Sequence, residues 1–194
     1  MKLTLLLLLV VIGQVFGQRT ELPYAQIPEY PKEYSASTVA ARMVDALGFR
    51  YYWATEGLRG EDISFSPNND ARTVQETLTH ILDLTQILLN SVNEVPTDND
   101  AVSPELSFAE MRQKTLENIK ATSEKLMKSN DKELNKFKMV FKRSTNSREF
   151  PFWNALNGPL ADALWHVGQV VSFRRSSGNP FNEKVNVLTG TVAK

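Results

Sequence analysis

Between Gly158 and Phe173 the chain reads GPLADALWHVGQVVSF, without a lysine, arginine or glutamate and with Asp162 as its one carboxylate. Projected at roughly 100° per residue, Leu160, Leu164, Val167 and Val171 make one apolar stripe. Asp162, His166, Gln169 and Phe173 make a second, nearly opposite. A solvent-facing stripe carries Lys or Glu, and neither stripe does. A helix that is apolar on most sides belongs in the middle of a helical assembly, so the Asp–His–Gln stripe is expected to be at least partly enclosed. Gly158-Pro159 suits the first turn of this helix, and Gly178-Asn179-Pro180 breaks it. Arg174 and Arg175 near its C-terminus complement the helix dipole.

The rest of the chain supplies partners for such a helix. Residues 37–57 read as a first helix, with Ser37 or Thr38 as cap, apolar residues at Val39, Met43, Leu47 and Trp53, and Gly57 as the stop. Residues 71–92 form a second, with Val74, Leu78, Ile81, Thr85, Leu88 and Val92 at helical spacing. Ser107 and Glu110 form a capping box that opens a third, running to about Ser129. Residues 130–157 are irregular; in KFKMVFK, 136–142, Phe137, Met139 and Phe141 alternate onto one side, as in a short extended segment. The expected class is all-α: a four-helix bundle with an irregular, partly extended connection between helices 3 and 4.

Buried ionisable groups must be paired, hydrogen-bonded or bound to a metal. Asp162 and His166 stand at i and i+4 and can reach one cation. The chain has two histidines, and the other, His80, sits at the flank of the second helix's apolar stripe. His80, Asp162 and His166 would make a two-histidine, one-carboxylate set with open positions for water. The plainer reading of Asp162 and His166 is a helix-stabilising contact. Glu76, four residues before His80, is a candidate base or further ligand. Trp53 and Trp165 read as core or pocket-wall aromatics.

Composition removes several alternatives. Lys and Arg number 22, Asp and Glu 22, and this balance argues against nucleic-acid binding by phosphate neutralisation. The absence of cysteine excludes disulfides, thiolate zinc ligands and a thiol nucleophile. MKLTLLLLLVVIGQVFG, residues 1–17, has a basic residue, an apolar run and small residues before a cleavage point, as in a secretory signal peptide. Its apolar run is shorter than the ~20 residues of a membrane-spanning helix. The expected organisation is a signal peptide at 1–17, an extended proline-rich lead-in at 18–36, the bundle at 37–180 and a tail at 181–194. Such a protein is exported, periplasmic or secreted, with no stable membrane anchor after processing.

The order of TVQETLTHIL (73–82) on one helix and PFWNALNGPLADALWHVGQVVSFRRSSGNP (151–180) on a later one resembles the DinB/YfiT-like superfamily of metalloenzymes. The likeness spans roughly residues 37–180, and its most specific part is His166-Val167-Gly168-Gln169 followed by Arg174 or Arg175 and Gly178. The resemblance implies a four-helix bundle, often a homodimer, that binds a divalent metal (Zn, Ni, Mn or Fe). The family's helix-two histidine corresponds to His80 and its last histidine to His166. Asp162 stands where the family usually has another histidine, which implies a harder, less zinc-selective site. The resemblance implies Lewis-acid chemistry on a small molecule, hydrolysis or thiol-type transfer, with Gln169 bonded behind a ligand and Glu76 as base. Export favours hydrolysis over transfer of a cytosolic thiol. The competing class is a non-catalytic ligand-binding or structural bundle with a vestigial metal site.

Overall fold

Three capping boxes start the three long helices that precede the Asp162 segment. In the computed structural model, which describes residues 21–102 and 104–193, helix α1 covers Ala36–Thr55 and is capped by Ser35. Ser35 Oγ accepts from the Thr38 amide at 3.2 Å, and Thr38 Oγ1 accepts from the Ser35 amide at 2.9 Å. The cap therefore lies before Ser37. Ser37 is buried instead and donates to the Ser129 carbonyl at 2.8 Å. After the single turn α2 (Gly60–Ile63), α3 covers Val74–Val92 behind a Thr73–Glu76 box, and α4 covers Phe108–Met127 behind Ser107–Glu110. The signal-peptide expectation for residues 1–17 lies outside the described residues.

The fourth long segment begins earlier than Gly158-Pro159 suggests. Helix α5 (Phe152–Ala155) runs into a wide π turn, Leu156–Leu160, and on into α6, Ala161–Ser176. Pro159 lacks an N–H and its ring crowds the turn before it. The helix widens there, with Gly158 at φ −93°, ψ −106°, instead of starting there.

The four long helices share one core. α4 packs between α1 and α3, and α6 packs against both α1 and α3 from the other side. Arg112 of α4 bonds Thr55 and Tyr52 near the end of α1, and Ser129 just beyond α4 meets Ser37, so α1 and α4 are antiparallel. Thr79–Met111 and Gln86–Asn118 contacts make α3 and α4 parallel. His80 opposite Asp162, and Phe65 against Phe173, make α3 and α6 antiparallel. The α3 stripe read from the sequence is the centre of the core: Val74, Leu78, Ile81, Thr85, Leu88 and Val92 are each 2% exposed or less. The α1 stripe is different. Ala40, Ala41, Val44, Leu47, Tyr51 and Ala54 point inward, while Val39 and Met43 are 51% and 46% exposed.

The expected extended segment is strand β2 (Lys138–Lys142), paired antiparallel with β3 (Ser147–Pro151) and parallel with β1 (Thr97–Asp98). Met139 lies opposite Phe150; Phe137 and Met139 are buried as their alternation implied, and Phe141 is half-buried against Phe150. A two-stranded pair, β4 (Val185–Asn186) and β5 (Thr191–Val192), closes the chain. The molecule is thus mostly helical, with few strands. No helix among the described residues is long and apolar enough to cross a membrane.

The proline-rich lead-in is fastened, not free. Tyr24 OH donates to Asp45 Oδ1 at 2.9 Å, Trp53 Nε1 donates to the Ala25 carbonyl at 3.1 Å, and the Ile27 amide donates to Gly190 O at 3.0 Å. Gly48 admits this: a Cβ there would lie 2.6 Å from the Tyr24 ring.

Arg174, 4% exposed, holds the far end of α6 against α1. Its Nη1 donates to the carbonyls of Trp53, Ala54 and Glu56 at 3.0–3.1 Å, orphan acceptors at the α1 C-terminus, and its Nε and Nη2 bond Asn179. Asn179 and Ser177 bond the buried Asp62, which Arg59 grips with two nitrogens at 2.9 Å. The hydrogen bonds from Arg59, Ser177 and Asn179 hold the Asp62 carboxyl far below its ordinary range. Its contribution to stability is complete above the unfolded value of about 4 and is lost as pH falls below it. Urea unfolding of Asp62→Asn is expected to show a loss of roughly 2–3 kcal/mol at pH 7, with the gap to wild type narrowing below about pH 4. Arg174→Lys is expected to cost at least about 2 kcal/mol by the same measurement, since a single ammonium cannot span carbonyls on two sides.

Candidate metal centre

α3 and α6 run antiparallel, and this places His80 beside the first turn and a half of α6. Asp162, in that first turn, stands between the two imidazoles. Its Oδ2 is 3.3 Å from His80 Nε2 and its Oδ1 is 3.3 Å from His166 Nε2. The two rings meet edge to face, centroids 4.8 Å apart and planes at 79°. One donor atom from each of the three residues lies within 4.8 Å of the others. The side chains are 32%, 41% and 14% exposed for His80, Asp162 and His166. The expected partial enclosure is there, with Asp162 the most open to water.

Gln169, one turn beyond His166, fixes that ring. His166 Nδ1 lies 2.7 Å from Gln169 Oε1. An amide oxygen only accepts, so Nδ1 carries the hydrogen, and in the neutral ring Nε2 keeps its lone pair toward Asp162. This is the carbonyl–histidine arrangement that orients metal-ligating imidazoles.

Two features of the donor set bear on a cation. First, one donor atom from each residue lies within 4.8 Å of the others, so the side chains would draw in by about 1 Å or more to reach the roughly 3.3–3.4 Å edge of a tetrahedron with bonds of about 2.0–2.1 Å. Second, two neutral imidazoles and a carboxylate give one negative charge and three lone-pair donors, the composition a dication needs. The cluster fits, and it could hold a metal ion.

The other candidates separate. Glu76 is a helix-capping residue, not a base for this site. Its Oε2 accepts from Thr73 N at 2.8 Å and Thr73 Oγ1 at 3.0 Å, and these bonds hold its carboxyl below the ordinary range, which makes it a poor proton acceptor. Trp165 is 73% exposed on the outer face of α6. Trp53 packs edge to face on Tyr52 and anchors the lead-in through Ala25. Asp83, one turn after His80, was missed from the sequence. Its carboxyl is raised by burial, against the opposing influence of His80 and Lys114. It lines a separate hollow between α3 and α4 with Gln86 and Lys114, not the His80–Asp162–His166 cluster.

Compared with protein-family models, with curated proteins and with solved structures, the chain matches none.

Two-bond 1H–15N spectra are expected to show His166 as the Nδ1–H tautomer in the wild type. Gln169→Leu removes the acceptor, and a second, Nε2–H population of His166 should appear, with the His80 signals little changed. An Nε2–H majority in the wild-type protein would contradict the geometry.

Proposed function

We propose that the protein is an exported, DinB-like four-helix bundle that holds a divalent transition-metal ion through His80, Asp162 and His166 and acts on a small molecule. The observation that carries the reading is the convergence of the two imidazole Nε2 atoms on one carboxylate at 3.3 Å each. The parallel and antiparallel order of α1, α3, α4 and α6, with a long connection between the parallel pair α3 and α4, supports the bundle assignment. Bound there, a dication supplies Lewis-acid activation of water or of a substrate oxygen. The chain's own residues hold and orient: His166 through Gln169, Asp162 between the rings, and His80 from the facing helix. With a carboxylate in place of a third imidazole, the set is open to Ni, Mn or Fe as well as Zn. Hydrolysis is the reaction class favoured over thiol-type transfer, because an exported chain lacks ready access to a cytosolic thiol.

One observation favours a second reading, a metal-dependent binder without turnover. Glu76, the residue best spaced to serve as a base, is committed to its helix cap.

The test is metal content and metal affinity of the mature protein. Wild type is expected to retain close to one equivalent of metal after incubation with Zn, Ni or Mn and desalting. His80→Ala, Asp162→Ala and His166→Ala should each lose affinity by more than the roughly 10–100-fold that an outer hydrogen-bond partner commands. Saturating metal, at about 100 times Kd, should stabilise the wild type by about 2.7 kcal/mol and the variants little. A wild type that takes up none of the three metals sinks the proposal. Metal without turnover across a panel of ester, amide and phosphoester substrates selects the second reading.

A further inference from the structure

The C-terminal tail is fastened at two points and leaves a hollow against α6 between them. At one end Asn179 belongs to the Arg174–Asp62 clamp and bonds both side chains. At the other, the Gly190 carbonyl accepts from the Ile27 amide at 3.0 Å, and a Cβ on Gly190 would lie 1.9 Å from the Ile27 side chain. The hollow measures about 660 Å3, inside the roughly 300–1,000 Å3 of small-molecule sites. Leu164, Val167 and Val171 of α6 form one wall, and Phe181, Val185 and Val187 of the tail form the other. Val187 is 46% exposed, so this apolar wall is not closed by the chain itself.

Three charged groups line the same hollow: Arg50 of α1, Arg175 of α6 and Glu183 of the tail. Together they leave one excess positive charge. Among the described residues neither arginine takes part in an ion pair. Arg50 Nη1 donates to the Ala46 carbonyl one turn back at 3.2 Å, which leaves the rest of its fork for another acceptor. The neutral polar side chains of the hollow are already engaged. Ser172 Oγ donates to the Gly168 carbonyl at 3.1 Å, and Asn182 Oδ1 accepts from the Lys184 amide at 3.0 Å.

Gly168 adds an independent observation. It lines the hollow from the middle of α6, and a Cβ built on it would meet nothing within 4 Å. Its backbone is helical, so no positive φ requires glycine there. Glycine in a helix interior lowers stability relative to alanine, and room kept for a ligand accounts for that loss.

We propose that this hollow binds a long-chain carboxylic acid in its ionised form, with the carboxylate on Arg50 and Arg175 and the alkyl chain between α6 and the tail. A guanidinium is a planar fork that meets a carboxylate in two parallel bonds. One excess positive charge matches a monoanion rather than a phosphate near two charges. A ligand body rich in hydroxyls or amides would find few partners between these walls, whereas a bare alkyl chain needs none. The Leu164–Val167–Val171 stripe lies nearly opposite Asp162 and His166 on α6, so the site is separate from the metal centre and does not rest on it.

The experiment is calorimetric titration of the mature chain with dodecanoate below its micelle concentration. Wild type is expected to take up one equivalent with Kd below about 100 µM. Dodecanol and dodecyltrimethylammonium, with the same chain and a neutral or cationic head, should bind at least roughly 10-fold more weakly. Dodecyl phosphate should bind no more tightly than dodecanoate. The double variant Arg50→Gln/Arg175→Gln should lose roughly 10-fold or more for dodecanoate and nothing for dodecanol. Gly168→Leu puts a side chain into the hollow and raises helix propensity, so it should abolish uptake while the melting temperature holds or rises. If the leucine lowers the melting temperature, the arginine variant, altered outside the core, decides. His80→Ala should bind dodecanoate as the wild type does. A wild type that takes up no dodecanoate overturns the proposal, as does uptake that a folded Gly168→Leu retains or that ignores the head group. Tighter binding of dodecyl phosphate overturns the carboxylate assignment. Uptake lost in His80→Ala would place the ligand at the metal centre and overturn the hollow as its site.

Discussion

A guanidinium that is almost wholly out of water must satisfy its donors with fixed partners. Arg174 does so with three carbonyls at the end of α1 and with Asn179 beyond the end of α6. The α1 C-terminus has orphan carbonyls and the negative end of its dipole to offer, so each side meets a need of the other. This fixes the position of α6 along α1. The Asp62 carboxylate, held by Arg59, Ser177 and Asn179, ties the α2 turn to the same point. α2 leads through Phe65, whose carbonyl accepts from the Val74 amide at 3.0 Å, to the first turn of α3. One polar knot therefore sets the heights of α1, α3 and α6 together, and the height of α3 against α6 decides which α3 residue stands opposite Asp162. That residue is His80.

The distribution of polarity follows from this division. Polar groups are concentrated at the helix ends, in three capping boxes and one clamp, where backbone groups need them. The middle of the core is left to the α3 stripe and to Leu47, Tyr51, Leu116 and Ile119. Polar side chains are also buried mid-helix, among them Asp45, bonded to Tyr24, and Asn118, and the partly exposed His80–Asp162–His166 cluster lies on the α3–α6 seam. An ionisable trio gathered on a helix–helix seam is a local conflict with packing, and such conflicts mark places kept for chemistry rather than for stability.

How much of this was legible in the sequence depended on whether a signal was local. The Ser107–Glu110 box and the α3 stripe were readable, because capping and helical spacing are determined within one helix. The α1 stripe was not: Val39 and Met43 share the apolar chemistry of Ala40 and Val44, and only the positions of α4 and α6 decide which pair faces in. Proline favours first turns, but α5 is already helical where the chain reaches Pro159, and the helix absorbs it in a wide turn. Arg174 looked like a complement to its own helix dipole and serves that of α1. Glu76 had the right spacing to His80 for a base; the Thr73–Glu76 box, equally visible in sequence, was the competing local signal that took the carboxylate. The pairing of His80 with Asp162 spans 82 residues, a separation at which periodicity says nothing, and the Gly158–Phe173 stretch, with Asp162 as its one charge, indicates only the need for a partner.

Each face of α6 answers to a different neighbour. Ala163, Val167, Val170 and Arg174 form the side that enters the core and the α1 clamp. Asp162, His166 and Gln169 form the side toward α3, where the requirement is a matched set of donors and acceptors and a lysine would compete for the Asp162 carboxylate. The remaining side, Ala161, Trp165, Gly168 and Ser172, is exposed, and solvent alone would favour Lys and Glu there for helix stability and solubility. Core packing explains the first side and the cluster explains the second. Neither acts on the third, whose small and aromatic residues stay uncharged and exposed.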